Sequence, residues 1–418
     1  MASRSDTTAD ANAPSQSAAH ALARASFVRV VAAADGDSLS AAGLLARGLR
    51  RADVPFHVRV ASLGADAPAA DDGVLAAVGS TLPNADVTIA PDDEPTSLRA
   101  YEIAQALSAD APNGVADPES GSAIDPALAL AGVVAAGEHP ASVAGPIVET
   151  AVESGALVQR PGVAVPIDDV ADDIVDGLTH STLLHAPFSG DENAVADEFD
   201  SVLRDDADAL DDEARRSVAS LVALAVAGDE AATPRAATAV ERALRPYATP
   251  DGPMATLGGF ADVLNAVAGE RPGVGVALAL GHGGRNAAVD AWRTHGSAVH
   301  RALHNAHTGR YDGVFAVRSD VRAESESASD SAVAARLRTV AGLARDFRSP
   351  EPVVVALGDG IAAISAVDAG AAAAASALAS EFGSDGADWT GTGTRACVRF
   401  DPASTEADVI AAIREAVR

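Results

Sequence analysis

The chain has 418 residues, 59 Asp plus Glu against 30 basic residues that are all Arg, and a formal net charge of −29. That length predicts two or three domains, and so anionic a surface suits a cytoplasm at molar salt, where screening shortens self-repulsion to a few ångströms. Hydrophobic content of 48% with 3% aromatic excludes wholesale disorder, and the single cysteine, Cys397, excludes an intrachain disulfide and a multi-cysteine zinc or iron–sulfur site.

In chain order, residues 1 to about 25 read as a disordered, Ser/Thr/Ala/Asp-rich leader without a basic-then-apolar targeting pattern. Phe27 to Ala32 predicts a strand, an Asp-Gly-Asp-Ser turn follows, and Ser40 to Arg51 carries helical spacing of Ala42, Leu44, Leu45 and Leu49. His57 to Val60 and Val87 to Ala90 predict further strands separated by helix-like, Ala-rich segments, the alternation of a parallel α/β sheet. Ala127 to Gly137 and Ile147 to Ser154 predict helices, and Asp191 to Glu213, with eleven acidic residues against one Arg, predicts a solvated helical region.

Phe260, Val263, Leu264 and Val267 share one helical face, while Val274, Val276, Leu278 and Leu280 alternate as in a half-buried strand over Gly273 to Leu280. Gly313 to Val317 and Val353 to Leu357 predict strands around a helix near Val333 to Phe347, and Ala407 to Val417 predicts a closing helix. The C-terminal hundred residues thus form a second, smaller α/β unit. No apolar run reaches the roughly 20 residues of a membrane helix, so the expected location is the cytoplasm.

Asp35 and Asp37 converge where a strand meets a helix, at the carboxyl end where such sheets bind ligands. They are candidate ligands for Mg²⁺ or Mn²⁺, and the competing reading has Asp37 and Ser38 capping the helix that begins near Ser40. His300, His304 and His307 are spaced as one helical face, a transition-metal pattern set against ordinary surface histidines. Gly281-His282-Gly283-Gly284-Arg285 follows the predicted strand as a glycine-rich turn that suits phosphate or simply a strand-to-helix connection. No G-x-S-x-G elbow supports nucleophilic serine catalysis. The Arg residues Arg50, Arg51, Arg285, Arg293, Arg301 and Arg310 are scattered, with no aromatic stacking platform beside them, which favours protein partners over nucleic acid.

The chain resembles the DHH phosphoesterase superfamily, and within it the archaeal RecJ-like proteins, over most of residues 26 to 418. The family's H-x-D-x-D-G motif is similar to Ala33-Ala34-Asp35-Gly36-Asp37-Ser38, with both aspartates kept and the histidine replaced by Ala33. Its D-L-G-S turn resembles Ala77-Val78-Gly79-Ser80, its D-H-H-x-P signature Pro91-Asp92-Asp93-Glu94-Pro95, and its G-A-I-G-D segment Val134-Ala135-Ala136-Gly137-Glu138. Phe260 to Ala266 and Pro272 to Gly281 look closely like the middle of archaeal RecJ-like chains. The accessory domain's S-A-R and G-G-G-H motifs stand as Ser365-Ala366-Val367 and Gly386-Ala387-Asp388-Trp389, so its substrate-binding Arg and His are Val367 and Trp389.

The resemblance implies a parallel-sheet DHH domain over 26–190, a helical middle segment over 191–310 and a smaller accessory α/β domain over 311–418. It implies a site that in active members holds two divalent ions for phosphodiester cleavage, of which this chain keeps only Asp35, Asp37 and Glu138 as vestigial ligands. The expected function is a catalytically inactive replication or repair scaffold with no cofactor, associating with proteins such as GINS and touching single-stranded DNA or RNA. The expectation extends from a similar inactive DHH protein that is a core subunit of the eukaryotic replicative helicase. The alternatives are an active Mn²⁺- or Mg²⁺-dependent single-strand exonuclease using Asp35, Asp37, Asp92, Asp93 and Glu138, and a stand-alone structural paralogue.

Overall fold

The computed structural model describes residues 13–63, 73–90, 94–109, 124–203, 210–322, 328–358, 360–383 and 389–418. The N-terminal part runs α1 (Ala13–Ala23), β1 (Val28–Ala33), α2 (Gly36–Arg51), β2 (Phe56–Ala61), β3 (Val74–Val78), β4 (Val87–Ile89) and α3 (Thr96–Ala109). The four strands form one parallel sheet in the order β2-β1-β3-β4. Strands buried on both faces read as near-continuous apolar runs, as Val30 to Ala33 does after the half-buried Arg29.

Two expectations change here. Part of the supposed leader is helix α1, whose Ala19 and Leu22 are buried and whose Ser15 hydroxyl donates to Glu102 at 2.9 Å. Ser15, Ala19 and Leu22, spaced i, i+4 and i+7, form its buried stripe against α3, which composition alone does not reveal. The interval between the second and third predicted strands contains strand β3 rather than only helix-like sequence, because Val74 to Val78 pairs with β1 in the middle of the sheet.

The middle of the chain is helical. It comprises α4 (Pro126–Ala135), α5 (Pro140–Val143), α6 (Gly145–Glu153), β5 (Val158–Gln159), α7 (Ala171–His180), α8 (Glu192–Phe199), α9 (Asp212–Gly228), α10 (Pro234–Glu241) and β6 (Tyr247–Ala248). Helices α11 (Leu257–Glu270), α12 (Pro272–Ala279) and α13 (Arg285–His304) follow, with α11 buried among α2, α4 and α13. The acidic stretch supplies α8 and the start of α9, and residues 204–209 within it lie outside the described residues.

Gly273 to Ala279 lies in helix α12, with Leu280 at its end, and is not the expected strand. The alternating valines mislead because Gly275, Leu278 and Ala279, spaced i, i+3 and i+4, are the residues that bury. Pro272 sits in the first turn, where its missing N–H costs nothing. Consequently the glycine-rich turn 281–285 connects two helices rather than leaving a strand, and the Arg285 Nε donates to the Pro253 carbonyl at 2.8 Å.

The C-terminal part holds β7 (His307–Tyr311), β8 (Val314–Arg318), α14 (Asp330–Leu343), a π-helical turn over Ala344–Arg348, β9 (Val353–Gly358) and β10 (Ile361–Ala366). It ends with α15 (Ala371–Phe382), β11 (Trp389–Gly391), β12 (Arg395–Arg399) and α16 (Glu406–Ala416). Six strands form a mixed sheet in the order β11-β12-β10-β9-β8-β7. One face packs on α14, the other on α15 and α16. A buried cluster joins this part to the middle helices: Arg336 donates to Glu270 at 2.7 and 2.9 Å, and His295 bridges Glu270 at 3.2 Å and Thr339 at 2.9 Å. Burial alone would raise the Glu270 pKa, but the hydrogen bonds from His295 and Arg336 hold it at about 2.

Candidate functional site

The carboxyl ends of β1 and β3 open onto a cleft of about 530 Å³ whose lining includes Asp35, Asp37, Glu138, Arg338, Arg345 and Arg395. The three candidate acids are therefore brought together on one cavity. Their individual bonding decides what they do there.

Asp35 is the N-cap of α2: its two carboxylate oxygens accept the Ser38 N–H at 2.8 Å and the Ser38 hydroxyl at 2.9 Å. Asp37 points the other way. Its oxygens accept the Thr96 N–H at 2.8 Å and the Ser97 N–H at 2.9 Å, at the start of α3. This corrects the expectation that Asp37 and Ser38 cap a helix beginning near Ser40. The parallel sheet sets the first turn of α3 beside the end of β1, and the carboxylate answers backbone donors that the sequence places far away.

Burial first, and the Asp35 charge second, push Asp37 up to about 6 against the hydrogen bonds from Ser97 and Thr96. Gly79 ends β3 with φ of 72°, and a Cβ there would sit 1.7 Å from the Ser38 hydroxyl oxygen. The glycine of the D-L-G-S-like turn is thus required by packing even though the aspartate before Val78 has become the buried Ala77.

The opposite wall carries arginines, of which Arg345 is paired with the neighbouring Asp346 at 2.7 Å. Arg338, from α14, donates to the Ala34 carbonyl, and Arg395, at the start of β12, donates to the Ala135 carbonyl at 3.1 Å. Asn265 donates to the same carbonyl at 3.3 Å and accepts the Gly36 N–H at 2.9 Å. Burial and then the Arg345 charge lower the Arg395 pKa, with Asp35 and Asp37 opposing them and Arg338 adding to the repulsion. The acids therefore face guanidinium groups carried by the C-terminal part.

A two-ion centre needs several carboxylate or imidazole donors aimed at common points. Asp35 and Asp37 instead direct their oxygens at N–H and O–H donors, and Ala33 and Ala77 offer none. Among the described residues no three His, Cys, Asp or Glu side chains form a metal-holding group. The described residues do not fit such a centre; Asp92 and Asp93 lie outside them.

The other sequence candidates separate. His300 and His304 lie on α13, but the helix ends there and His307 opens β7, so the three do not share a face. His300 meets His185 instead. Arg293 is bound to Asp176 and Asp290, and Arg310 to Glu351. Val367 is exposed just beyond β10 and Trp389 opens β11, while 386–388 lie outside the described residues.

Sequence reasoning missed Arg338, Arg345 and Arg395. The first two are seven residues apart, two helical turns, which is a readable signal of a shared face. Arg395 carries none, since only the antiparallel register that sets it opposite Ser365 brings it into the cleft.

A family model described as the C-terminal domain of uncharacterized protein rrnAC1427 matches residues 306–415. Among solved structures, CDC45 from Entamoeba histolytica aligns over 98% of this chain and 98% of that chain, with TM-score 0.53 and 7% identity. RecJ from Thermus thermophilus, in complex with Mn²⁺, aligns over 96% of this chain and 54% of that chain, with TM-score 0.44 and 14% identity. Among the described residues no helix is long and apolar enough to cross a membrane. The uncharacterized protein rrnAC1427 of Haloarcula marismortui is 43% identical over 404 residues, 96% of this chain and 95% of that protein. This chain belongs to the rrnAC1427 family, and it shares the fold of CDC45 along its length.

Proposed function

We propose that this protein binds in its cleft without hydrolysing, and serves as a structural subunit of a replication or repair assembly. The observation that carries the reading is the state of Asp35 and Asp37: their oxygens are occupied as helix caps, and arginines supply the facing positive charge. Removing donors from a metal site costs affinity steeply, since even a change to a supporting group costs about 10- to 100-fold. No metal cofactor is part of this reading. The fold shared with CDC45 along the full chain supports a whole-molecule role rather than an isolated module. The proposed partners are replication proteins such as GINS, and a single strand entering the cleft would meet Arg338, Arg345 and Arg395 with its phosphates.

The test is release of nucleotides from a labelled single strand in multimolar KCl with Mn²⁺, comparing the natural chain with the Asp35→Ala/Asp37→Ala double variant. The expected result is no release above that of the variant, in salt where both are folded by circular dichroism. Release that the double variant abolishes would establish the active reading, with an all-carboxylate site built from Asp35, Asp37, Glu138, Asp92 and Asp93.

A further inference from the structure

On the far side of the π-helical turn from the cleft, three side chains form a chain of hydrogen bonds. Arg348 Nη2 lies 2.7 Å from His185 Nε2, His185 Nδ1 lies 3.1 Å from His300 Nδ1, and His300 Nε2 lies 2.9 Å from the Ser181 carbonyl oxygen. The two imidazole planes lie within 12° of parallel with ring centres 5.4 Å apart, edge to edge as a ring-to-ring hydrogen bond requires, and the residues are 2% and 0% exposed.

The chain has one consistent direction. A carbonyl only accepts, so His300 carries its proton on Nε2 and presents a lone pair at Nδ1. His185 must then donate from Nδ1, which leaves its Nε2 to accept from Arg348. Neither ring has room for a second proton: on His185 it would face the Arg348 guanidinium, and on His300 it would face the His185 N–H. Burial, followed by neighbouring cationic groups, accordingly lowers His185 well below 6.5, and burial sets His300 at about 3 although its bond to Ser181 opposes the shift. The groups facing the relay are His304 and Arg348 around His185, and His180, His295 and His304 around His300. Asp191 and Asp229 face His304, and Asp229 also faces Arg348.

The relay joins three pieces of the fold: the loop 181–190 that contains His185, helix α13 with His300, and the π-helical turn that ends at Arg348. The same turn places Arg345 and Asp346 on the cleft. We propose that Arg348, His185 and His300 form an acid-sensitive latch that holds this turn, and through it the arginine wall of the cleft. Protonation of either histidine breaks the relay, frees Arg348 and releases the turn from the loop. The latch stands on this geometry alone, whether or not the cleft hydrolyses anything.

The sign follows from linkage. The closed latch binds no proton, whereas each released histidine titrates near 6.5, so opening is uncoupled from pH above that value and is favoured as pH falls below it. Each histidine contributes about tenfold per pH unit to the opening equilibrium, about 100-fold per unit for both.

Two measurements on the full chain in multimolar KCl test this. In ¹⁵N-edited imidazole spectra from pH 8 to 5, His300 is expected as the Nε2–H tautomer and His185 as the Nδ1–H tautomer, both neutral throughout. Either ring titrating near 6.5, or showing the opposite tautomer, would overturn the proposal. In hydrogen exchange corrected for intrinsic rates, segments 181–190 and 344–348 should open together, with the stated slope below about pH 6, while β9 and β10 stay protected. Exchange of those segments with no acid slope would also overturn it. His185→Phe should flatten the slope, and the tautomer spectra of the natural chain decide the matter if that variant does not fold.

Discussion

Asp37 shows at the scale of one side chain how this fold uses an acid. Its carboxylate serves two N–H groups of α3, yet burial and Asp35 raise its pKa to about 6. A carboxyl group held above its ordinary value binds its proton more tightly when folded, so its contribution is complete below about pH 4 and is lost as pH rises through 6. We expect the stability difference between the natural chain and Asp37→Asn, measured by denaturant unfolding in multimolar KCl, to change by up to about 3 kcal/mol between pH 4 and 7. The natural chain should lose relative to the variant as pH rises; a pH-independent difference would show that Asp37 titrates normally. The aspartates themselves were legible in the sequence as a pair at a strand-to-helix turn. The partners of Asp37 were not, because Thr96 and Ser97 lie some sixty residues away and reach it only through the sheet.

Elements were legible where one periodicity dominated. Leu257 to Glu270 and Val353 to Gly358 form the helix and strand their apolar spacing predicts. Pro272 to Ala279 was not, because alternating Val and Leu fit a strand while glycines and alanines fill the places between. What decides it is close helix packing: Gly43 of α2 would place a Cβ 2.7 Å from the Ala279 Cβ and 2.8 Å from its carbonyl oxygen. A strand there would turn Gly275 and Leu278, three residues apart, to opposite faces, whereas the helix buries both. Gly43→Leu is expected to force α2 and α12 apart and destabilise the chain by about 1–3 kcal/mol or more, as overpacking of a close contact does. A Gly43→Leu chain with an unchanged denaturation midpoint would contradict that packing.

At the scale of the molecule, charge and the cleft set the behaviour. A net charge of −29 repels itself over a Debye length that grows from about 3 Å at 1 M salt to about 10 Å at 0.1 M. Unfolding in denaturant should therefore occur at steadily lower denaturant concentration as KCl is diluted from molar to 0.1 M at constant pH; a salt-independent midpoint would mean that the surface acids are neutralised within the fold. Few cations oppose this field, and three of them, Arg338, Arg345 and Arg395, are gathered on the cleft wall.

Composition by itself determined the anionic surface, the lean Ala/Val/Leu interior and the absence of disulfides, since these depend on which residues are present and not on where they meet. Local order determined most helices and strands, and with them the parallel N-terminal sheet and the smaller C-terminal unit. Only the tertiary structure decided that Asp37 serves the first turn of α3 rather than its own helix, that Arg395 enters the cleft from the strand opposite Ser365, and that His300 finds His185 rather than His307. Each of these depends on a contact between residues distant in the chain, whose geometry is set by sheet register and helix packing, and no spacing within one segment encodes it.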